Sequence, residues 1–281
     1  MIRSLVVRTS VAALLLSACT VSSDAISTGG PSSSAGLTTT TTGLTAATET
    51  GDGTDATTGT YDLGSSPDAP DTTFDPCGNT LQGTLRDFSQ SHPDFEYVIG
   101  EDPGIVADVL GVDGKPVYNG NPTTPSTNGK EAFDQWYRDV PGVNVTIPLS
   151  IPLTDQGGGI YTYDNPAFFP IDEQGLGNEG NEHNYHFTYE IATEFTYHGG
   201  EVFTFTGDDD LFTFINGKLA IDLGGVHGPL TGTVDLDAQA AALGIVPGQK
   251  YSLHFFFAER HTSESNFRID TTIDCFLPPP K

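Results

Sequence analysis

The chain has 281 residues, and its 11 Lys and Arg against 37 Asp and Glu give a formal net charge of −26 at pH 7. Such a charge repels the phosphates of DNA and RNA, so we expect no nucleic-acid partner. The charge is compatible with divalent cations in an exported setting, although solubility alone would also explain it. The length suits one β-rich domain of about 200 residues with additional segments.

Residues 1–19 have the pattern of an export signal. Two arginines lie near the start, and the apolar run at 11–16 is too short to span a bilayer. The sequence Leu16-Ser17-Ala18-Cys19 then resembles the bacterial lipoprotein signal, in which cleavage precedes the Cys and its sulfur is acylated. The resemblance implies a lipid anchor on Cys19 and, because Thr20 rather than Asp follows, a place at the bacterial outer membrane or cell surface. The alternative is an ordinary secretory signal with an unrelated Cys.

Residues 20–75 have the composition of a disordered linker. Thr, Ser, Gly, Ala and Asp dominate, and large apolar side chains are almost missing. A segment of this kind cannot bury enough apolar surface to offset the entropy lost on ordering. We therefore expect a tether that holds the following domain away from the membrane.

Residues 76–281 are expected to fold as one all-β domain. Aromatic and β-branched residues form short runs, some with the alternation of a half-buried strand, and Gly, Pro, Asn and Asp separate them. This pattern predicts a β-sandwich of mainly antiparallel strands with short helical insertions. We expect Trp136 and Tyr137 to be core residues. The predicted strands are 145–153, 187–197, 201–206, 211–215, 218–223, 251–257 and 267–273, and the predicted helices are 105–110, 130–138 and 235–243.

The cysteines support an exported protein. With Cys19 assigned to the lipid, Cys77 and Cys275 remain at the two ends of the domain. A disulfide between them would close a very long loop and, on the chain-entropy model, would stabilise the fold by about 4–5 kcal/mol. The spacing of Cys and His matches no zinc site.

The most informative stretch of the domain is residues 207–222. Strand-like runs flank three consecutive carboxylates at 208–210, and Asn216-Gly217 provides the residue pair that a type I′ hairpin turn requires. Three adjacent Asp residues repel one another and suit neither a strand nor a helix interior. Water, or a hard cation such as Ca²⁺ bound through oxygen, would compensate for them.

Five ordered motifs in the domain together resemble the fibro-slime domain. That domain is known from slime-mould spore-coat and prespore proteins and from bacterial surface proteins, and it is related to the protective-antigen-type β-sandwich of toxins, glycosidases and yeast adhesins. The resemblance covers nearly all of residues 80–273. Phe212 stands where the family commonly has Trp, a change that affects packing. The motifs are Asp134-Gln135-Trp136-Tyr137-Arg138-Asp139-Val140, Phe168-Phe169-Pro170-Ile171-Asp172, Gly207-Asp208-Asp209-Asp210-Leu211, Phe214-Ile215-Asn216-Gly217-Lys218 and Phe255-Phe256-Phe257-Ala258-Glu259-Arg260-His261.

The resemblance implies a calcium site. In the lectin members of the wider superfamily, two adjacent Asp residues joined by a cis peptide bind Ca²⁺, and the ion in turn binds sugar hydroxyls. The spacing to the hairpin turn places that pair on Asp208 and Asp209, and an Asn ligand of the adhesin relatives corresponds to Asn266. The alternative is that the acids end a strand and hydrogen-bond the loop backbone, with Asn266 as a turn residue.

Residues in adjoining loops are further candidates. Asp210, His227 and His261 are predicted to be ligand-binding residues around the acidic pair, although a single His in a loop is more often a hydrogen-bonding or solvent-facing residue. Glu259 and Arg260 are expected to form an ion pair that ties loops together rather than a reactive pair.

Two functions from different classes remain. The first is a surface-tethered carbohydrate-binding or adhesive domain assisted by calcium, whose partner is an extracellular glycan or matrix polymer. The alternative is a structural component of an extracellular matrix or cell coat that binds no ligand. We do not expect an enzyme, because the sequence contains no nucleophile elbow, no His-Glu-x-x-His motif and no phosphate-binding Gly-rich loop.

Overall fold

The part of the chain that a computed structural model describes, residues 77–278, consists of β-strands, loops and two short helices. The predictions for residues 1–19 and 20–75, including the lipid on Cys19, lie outside this part. Within it, no helix is long and apolar enough to cross a membrane. The helices are α1 (Lys130–Phe133) and α2 (Leu236–Leu243). The strands are β1 (Thr80–Phe88), β2 (Gly100–Glu101), β3 (Asn144–Pro152), β4 (Thr154–Asp155), β5 (Tyr161–Asn165), β6 (Phe187–Tyr197), β7 (Val202–Gly207), β8 (Asp210–Ile215), β9 (Lys218–Leu223), β10 (Gly225–Val226), β11 (Leu230–Asp235), β12 (Gln249–Glu259) and β13 (Phe267–Thr271).

Within the described residues, two antiparallel sheets face each other and form the predicted β-sandwich. One sheet has six strands in the order β3-β1-β6-β12-β8-β9, and the other has five in the order β11-β7-β13-β5-β4. β10 and β2 form a separate two-stranded ladder. The consecutive strands β7 and β8 lie in different sheets, so the acidic loop between them crosses the end of the sandwich.

The core between the sheets is built from aromatic side chains that alternate along the strands. Phe203 and Phe205 of β7 point inward, and Phe205 contacts Phe255 and Phe267 at ring-centroid distances of 5.3 Å and 5.1 Å. Each fully buried Phe of this kind contributes about 1.5–3 kcal/mol through burial. The aromatic side chains that the predicted period-two alternation directs inward therefore hold the two sheets together.

A second apolar cluster covers the outer face of the six-stranded sheet. Phe212, Phe214 and Phe256 point to this face and pack against Trp136 and Tyr137, which the sequence predicted to be core residues. The Tyr137 and Phe256 rings lie 4.9 Å apart. β8 is consequently buried along its whole length, on both faces.

The prediction of a helix at 105–110 is wrong, because the backbone N–H and C=O groups of this segment form hydrogen bonds with other segments. Ala107 N donates to Val117 O (2.8 Å), and Leu219 N donates to Asp108 O (2.9 Å). Ile105 at its start is β-branched, a residue type that suits extended structure, and is fully buried.

The other two predicted helices are present, one of them shortened. Within 130–138 only Lys130–Phe133 is α-helical, and turns follow. α2 starts after Asp235, whose side chain accepts a hydrogen bond from Ala238 N (3.0 Å), and ends at Gly244 with a φ of 72°. This N-cap and left-handed C-cap explain why so short a helix forms.

Three longer strands, β1, β5 and β11, were not predicted. β1 has few β-branched or aromatic residues and contains Gly83. A Cβ atom added at Gly83 would lie 2.6 Å from the Tyr189 ring, so this ring occupies the space that a side chain would need. The pairing of β1 with a neighbouring strand, rather than its own residue types, accounts for its extended conformation.

Asn216 and Gly217 form the predicted tight turn between β8 and β9. Their φ values are 52° and 70°, and a type I′ turn requires a positive φ at both positions. Asn216 Nδ2 also donates to Leu243 O (2.9 Å), so the turn is bonded to the end of α2.

Cys77 and Cys275 form the predicted disulfide, with their Cα atoms 5.0 Å apart and a sequence separation of 198 residues. Beside it, Phe276 N donates to Gly78 O (2.9 Å). The disulfide therefore joins the segment before β1 to the segment after β13.

Replacing both Cys77 and Cys275 by Ser should lower the free energy of unfolding by about 4–5 kcal/mol, because the unfolded chain regains the entropy of a very long open loop. Urea denaturation of the oxidised protein and the variant measures this difference. A reductant should weaken the wild-type protein by a similar amount and leave the variant unchanged. A loss below about 1 kcal/mol would contradict the prediction.

Candidate functional site at the acidic crossover

The acidic loop is the crossover between the two sheets, from Gly207 at the end of β7 to Asp210 at the start of β8. A Cβ atom on Gly207 would lie 2.5 Å from the Asn266 backbone oxygen, so this close approach requires glycine. Asp209 has a left-handed φ of 50°. The peptide between Asp208 and Asp209 is trans, unlike the cis geometry that the lectin resemblance implies.

Asp208 and Asn266 are brought together as the family resemblance implied. Asp208 Oδ2 accepts hydrogen bonds from Asn266 N (2.8 Å) and Asn266 Nδ2 (2.7 Å). Asp208 Oδ1 is buried and has no hydrogen-bond partner. Burial raises the pKa of Asp208 above its ordinary value, and the two Asn266 hydrogen bonds oppose that rise. One oxygen of the Asp208 carboxylate therefore accepts hydrogen bonds, and the other has no hydrogen-bond partner.

Asp209 joins two loops through their backbone. Its Oδ1 accepts from His227 N (3.1 Å) and its Oδ2 from Arg260 N (2.8 Å). Its own N–H donates to His227 O (3.1 Å). Burial raises the pKa of Asp209 to about 7, although the Arg260 guanidinium opposes the shift. Asp209 thus holds both neighbouring loops against the crossover.

Asp210 points away from the other two acids and pairs with Arg260. Both side chains are fully buried, Arg260 Nε donates to Asp210 Oδ2, and Gly225 N donates to Asp210 Oδ1 (2.7 Å). Asp210 was predicted to bind ligand, but both of its oxygens are engaged here. The expected ion pair between Glu259 and Arg260 is wrong, because Asp210 takes the guanidinium.

The remaining donors of Arg260 fix two further segments. Arg260 Nη1 donates to Asp94 O (2.9 Å) and Ser126 O (2.8 Å), and the guanidinium carbon lies 4.7 Å from the centre of the Trp136 ring. Trp136 Nε1 in turn donates to Asp94 Oδ2 (3.0 Å). The segments around these residues are therefore anchored to the strand end that carries Arg260.

Glu259 is a buried carboxylate that sequence reasoning misassigned. It is fully buried, and its neighbours include the side chains of Asp209 and Ser265. The Ser265 hydroxyl donates to Phe168 O (2.9 Å). Burial, with added repulsion from Asp209, raises the pKa of Glu259 well above its ordinary value. The alternation Phe255, Phe257, Glu259 was the signal that could have placed this side chain in the interior.

A pocket of about 110 Å³ opens at the crossover. Four of the predicted site residues line it, namely Asp208, Asp209, His227 and His261. Asn266 reaches it through Asp208, whereas Asp210 is not among the lining residues. The remaining lining residues are Ile99, Val226, Gly228, Thr262, Ser263 and Glu264.

Glu96, which sequence reasoning did not single out, holds one wall of this pocket. Its carboxylate accepts from Thr262 N (2.8 Å) and lies 2.9 Å from His186 Nε2. His261 Nε2 lies 3.4 Å from the same carboxylate. The loop that carries His261 and Thr262 is therefore fixed in place before any ligand binds.

A larger cavity, of about 480 Å³, lies elsewhere on the domain, along β1, β6 and the segment after Cys275. It contains none of the predicted site residues. Its lining includes Thr80, Gln82 and Thr84, with Phe276 and Leu277 on the other side. Its one acidic lining residue, Glu190, pairs with Arg86 and Lys115.

Within residues 77–278, no group of three or more His, Cys, Asp or Glu side chains is arranged to hold a metal ion. An ion at the crossover would therefore take ligands from fewer carboxylates, together with amide, backbone, water or ligand oxygens. Ca²⁺ accepts such mixed oxygen ligands.

The comparisons with known proteins find a similarity in the part of the chain that carries the acidic crossover. Residues 170–275 match the family model described as "PA14 domain". The matched residues include the acidic crossover, β12 and Asn266.

Similar proteins occur in Dictyostelium discoideum. Protein psiD is 42% identical over 211 residues, a match that covers 69% of this chain and 41% of psiD. Protein psiR is 42% identical over 200 residues, covering 65% of this chain and 20% of psiR. The chain thus spans less than half the length of these relatives. The solved PA14 sugar-binding domain from RTX adhesin matches at 13% identity with a TM-score of 0.29, covering 69% of this chain and 89% of that one.

Replacing Arg260 by Met should lower the free energy of unfolding by about 3–5 kcal/mol, because Asp210 would remain buried without its cation. The matched control is Arg268→Met, which removes a half-exposed arginine that pairs with Asp164 and Asp270. That change should cost less than about 1 kcal/mol. Equal losses for the two variants in urea denaturation would contradict the anchoring role of Arg260.

The raised pKa of Asp209 predicts a pH dependence of stability in the calcium-free protein. Between about pH 4 and pH 7 the folded protein keeps a proton on Asp209 that the unfolded chain has released, so this group stabilises the fold less as pH rises. Asp209→Asn removes the effect. The stability of the variant relative to wild type should therefore increase from pH 5 to pH 8, by up to about 1.4 kcal/mol per pH unit. If the free energies of unfolding of wild type and Asp209→Asn change with pH in parallel, this prediction is contradicted.

Proposed function

We propose that this domain is a carbohydrate-binding or adhesive module held at the cell surface, with a calcium ion bound at the acidic crossover. Protein oxygens would hold the ion, and sugar hydroxyls would complete its coordination shell. Its role is to bind an extracellular glycan or matrix polymer and not to catalyse a reaction.

The open carboxylate oxygen of Asp208 is the observation that carries this proposal. A buried charged oxygen without a partner costs at least about 1–3 kcal/mol, and a hard cation would remove that cost. Asn266 Nδ2 already donates to the other Asp208 oxygen, which leaves the Asn266 carbonyl oxygen as a neutral ligand for the same ion. Carboxylate and amide oxygens are the ligands that Ca²⁺ prefers.

The walls of the pocket suit a sugar. The imidazole rings of His227 and His261 line the pocket, with their nitrogens already facing Gly228 O, Leu223 O, Thr262 O and the Glu96 carboxylate, and Ile99 adds an apolar surface for the carbon face of a sugar ring. A volume of about 110 Å³ suits one sugar residue rather than an extended chain. We therefore expect recognition of a terminal sugar.

The match to the PA14 domain supports a binding role. One solved PA14 domain is described as the sugar-binding domain of an adhesin, and the family match here includes the acidic crossover.

The proposed surface location rests on the N-terminal sequence. A lipid on Cys19 would anchor the chain, and the 56 residues at 20–75 would act as a flexible tether. A Gly- and Ser-rich tether of that length has a root-mean-square reach of about 40 Å. Such a tether would let the domain reach beyond the lipid head groups to glycans.

A second candidate function is a structural component of a cell coat without a ligand. Asp209 and Asp210 favour it, because both carboxylates bond the loop backbone or Arg260 and so stabilise the fold by themselves. Only the open oxygen of Asp208 distinguishes the binding function from this one.

Calcium added to the chelator-treated full-length protein should raise the melting temperature by about 5–10 °C at 100 times the dissociation constant, because binding adds about 2.7 kcal/mol to the stability. Asp208→Asn should remove most of this shift, since it neutralises the open oxygen and preserves the shape of the side chain. Circular dichroism melts measure the shift, and a glycan array with calcium or EGTA measures the sugar dependence.

Two controls separate the ion from the sugar. Asp164→Asn neutralises an exposed carboxylate on β5 and should leave the calcium shift unchanged. His227→Ala should weaken glycan retention and leave the calcium shift intact. If calcium changes neither the melting temperature nor glycan retention of the wild-type protein, the binding function fails and the coat function remains.

A further inference from the structure

The larger cavity lies where two neighbouring strands of the six-stranded sheet separate. β1 and β6 are paired only as far as Gly83 and Ile191. Beyond this point β1 stays paired with β3 as far as Thr80, and β6 stays paired with β12 as far as Tyr197. The cavity of about 480 Å³ opens at the gap between the two strands, and residues of both strands line it.

The segment after Cys275 closes the outer end of this gap. Phe276 N donates to Gly78 O (2.9 Å) on the β1 side. Leu277 N donates to Glu194 O (2.8 Å) on the β6 side, and Glu194 N donates back to Leu277 O (3.0 Å). The disulfide precedes this segment directly, so the wall that Phe276 and Leu277 give the cavity is fixed before any ligand binds.

The β1 side of the cavity carries a row of neutral polar side chains. Leu81 and Leu85 point into the core between the sheets, so the period-two alternation directs Thr80, Gln82 and Thr84 to the opposite side. All three line the cavity. Within residues 77–278, no hydrogen bond engages their side chains. Two hydroxyls and one amide are therefore available to a ligand, each about 7 Å from the next along the strand.

The charge at the cavity is balanced by the protein itself. Glu190 accepts a hydrogen bond from Arg86 Nη1 (2.9 Å) and also pairs with Lys115. Asp139 takes the other side of the Arg86 guanidinium (2.8 Å). Two acids and two bases thus compensate one another, in a protein whose formal net charge is −26. The cavity consequently favours a neutral ligand over a cation or an anion.

We propose that this cavity is a second binding site, which takes a short neutral oligosaccharide without calcium. Sugar hydroxyls would bond Thr80, Gln82 and Thr84, and the carbon face of a sugar ring would pack against Phe276 and Leu277. The volume lies in the range of ligand pockets and is more than four times that of the crossover pocket. The site shares no lining residue with the crossover and does not rest on the proposed calcium ion.

An extended peptide is the other ligand that a gap between strands could take. Such a peptide binds by adding a strand to a free sheet edge, with main-chain hydrogen bonds along its length. Here Phe276 and Leu277 already occupy the backbone groups of Gly78 and Glu194 at the outer end of the gap. The unoccupied groups are side chains of neutral polar type, which favours a sugar.

Calorimetric titration of neutral tetrasaccharides into the full-length protein in EGTA tests the site. The probes are cellotetraose, maltotetraose and chitotetraose, and binding of at least one is expected. Gln82→Ala should weaken that binding about 5- to 10-fold, because it removes a donor and an acceptor. Thr84→Val, which keeps the shape of the side chain and removes only the hydroxyl, should weaken it about 3-fold.

The matched control is Gln156→Ala, which removes an exposed glutamine directly after β4 and should leave the affinity unchanged. Asp208→Asn should also leave it unchanged, because the crossover takes no part in this binding. Gln82 is exposed and Thr84 is half-buried, so both variants should keep the wild-type melting temperature. An unchanged melting temperature excludes a loss of fold as the cause of weaker binding.

The outcomes separate this site from the crossover. If no tetrasaccharide binds in EGTA, this inference is overturned, whatever calcium does at the crossover. If Gln82→Ala and Thr84→Val bind as wild type does, or if Gln156→Ala loses as much as Gln82→Ala, the assignment to this cavity is overturned. Binding of a peptide of alternating Thr and Val, with no binding of sugars, would make the gap a peptide site instead. If calcium has no effect but the tetrasaccharide binds, only the calcium-assisted function fails.

Discussion

The buried ion pair between Arg260 and Asp210 is the contact on which this end of the sandwich depends. Both side chains are fully buried, so the guanidinium must satisfy all its donors inside the protein. It does so by bonding Asp210 and the backbone oxygens of Asp94 and Ser126, and by stacking on Trp136. One side chain thereby fixes the acidic strand start and two loops of the outer layer. The same residue offers its backbone N–H to Asp209, so the geometry of the pocket floor follows from this anchor.

The crossover between sheets explains why three adjacent acids have three different roles. A strand places successive side chains on opposite faces, and a left-handed residue in the middle changes their directions again. Asp210 is directed into the outer layer, where it finds a cation. Asp209 is directed to the neighbouring loops and bonds their backbone. Asp208 remains at the pocket with one buried oxygen that has no hydrogen-bond partner.

The layered fold also explains why the site lies at the end of the sandwich. The six-stranded sheet is covered by an apolar cluster on each face, so β8 is buried along its whole length and β12 is buried from Phe255 to Glu259. β8 begins and β12 ends at this edge of the sheet, and three loops meet there around the pocket. Glu96 fixes one of these loops through Thr262, which reduces the ordering that a ligand would have to impose. Preformed walls around an open carboxylate are what the binding function requires.

The sequence by itself determined the β-sandwich class, the disulfide between Cys77 and Cys275 and the tight turn at Asn216-Gly217. These features depend on local patterns: alternation, turn residues and the number of cysteines. The convergence of Asp208 and Asn266 was implied by the family resemblance and not by a local pattern. The segment 105–110 was misread as a helix and β1 was missed, because strand partners far along the chain decided both. The partner of Arg260 and the surroundings of Glu259 were likewise beyond local reasoning. Adjacent residues on a strand point to opposite faces, so tertiary packing paired Arg260 with Asp210 and placed Glu259 in the interior beside Asp209.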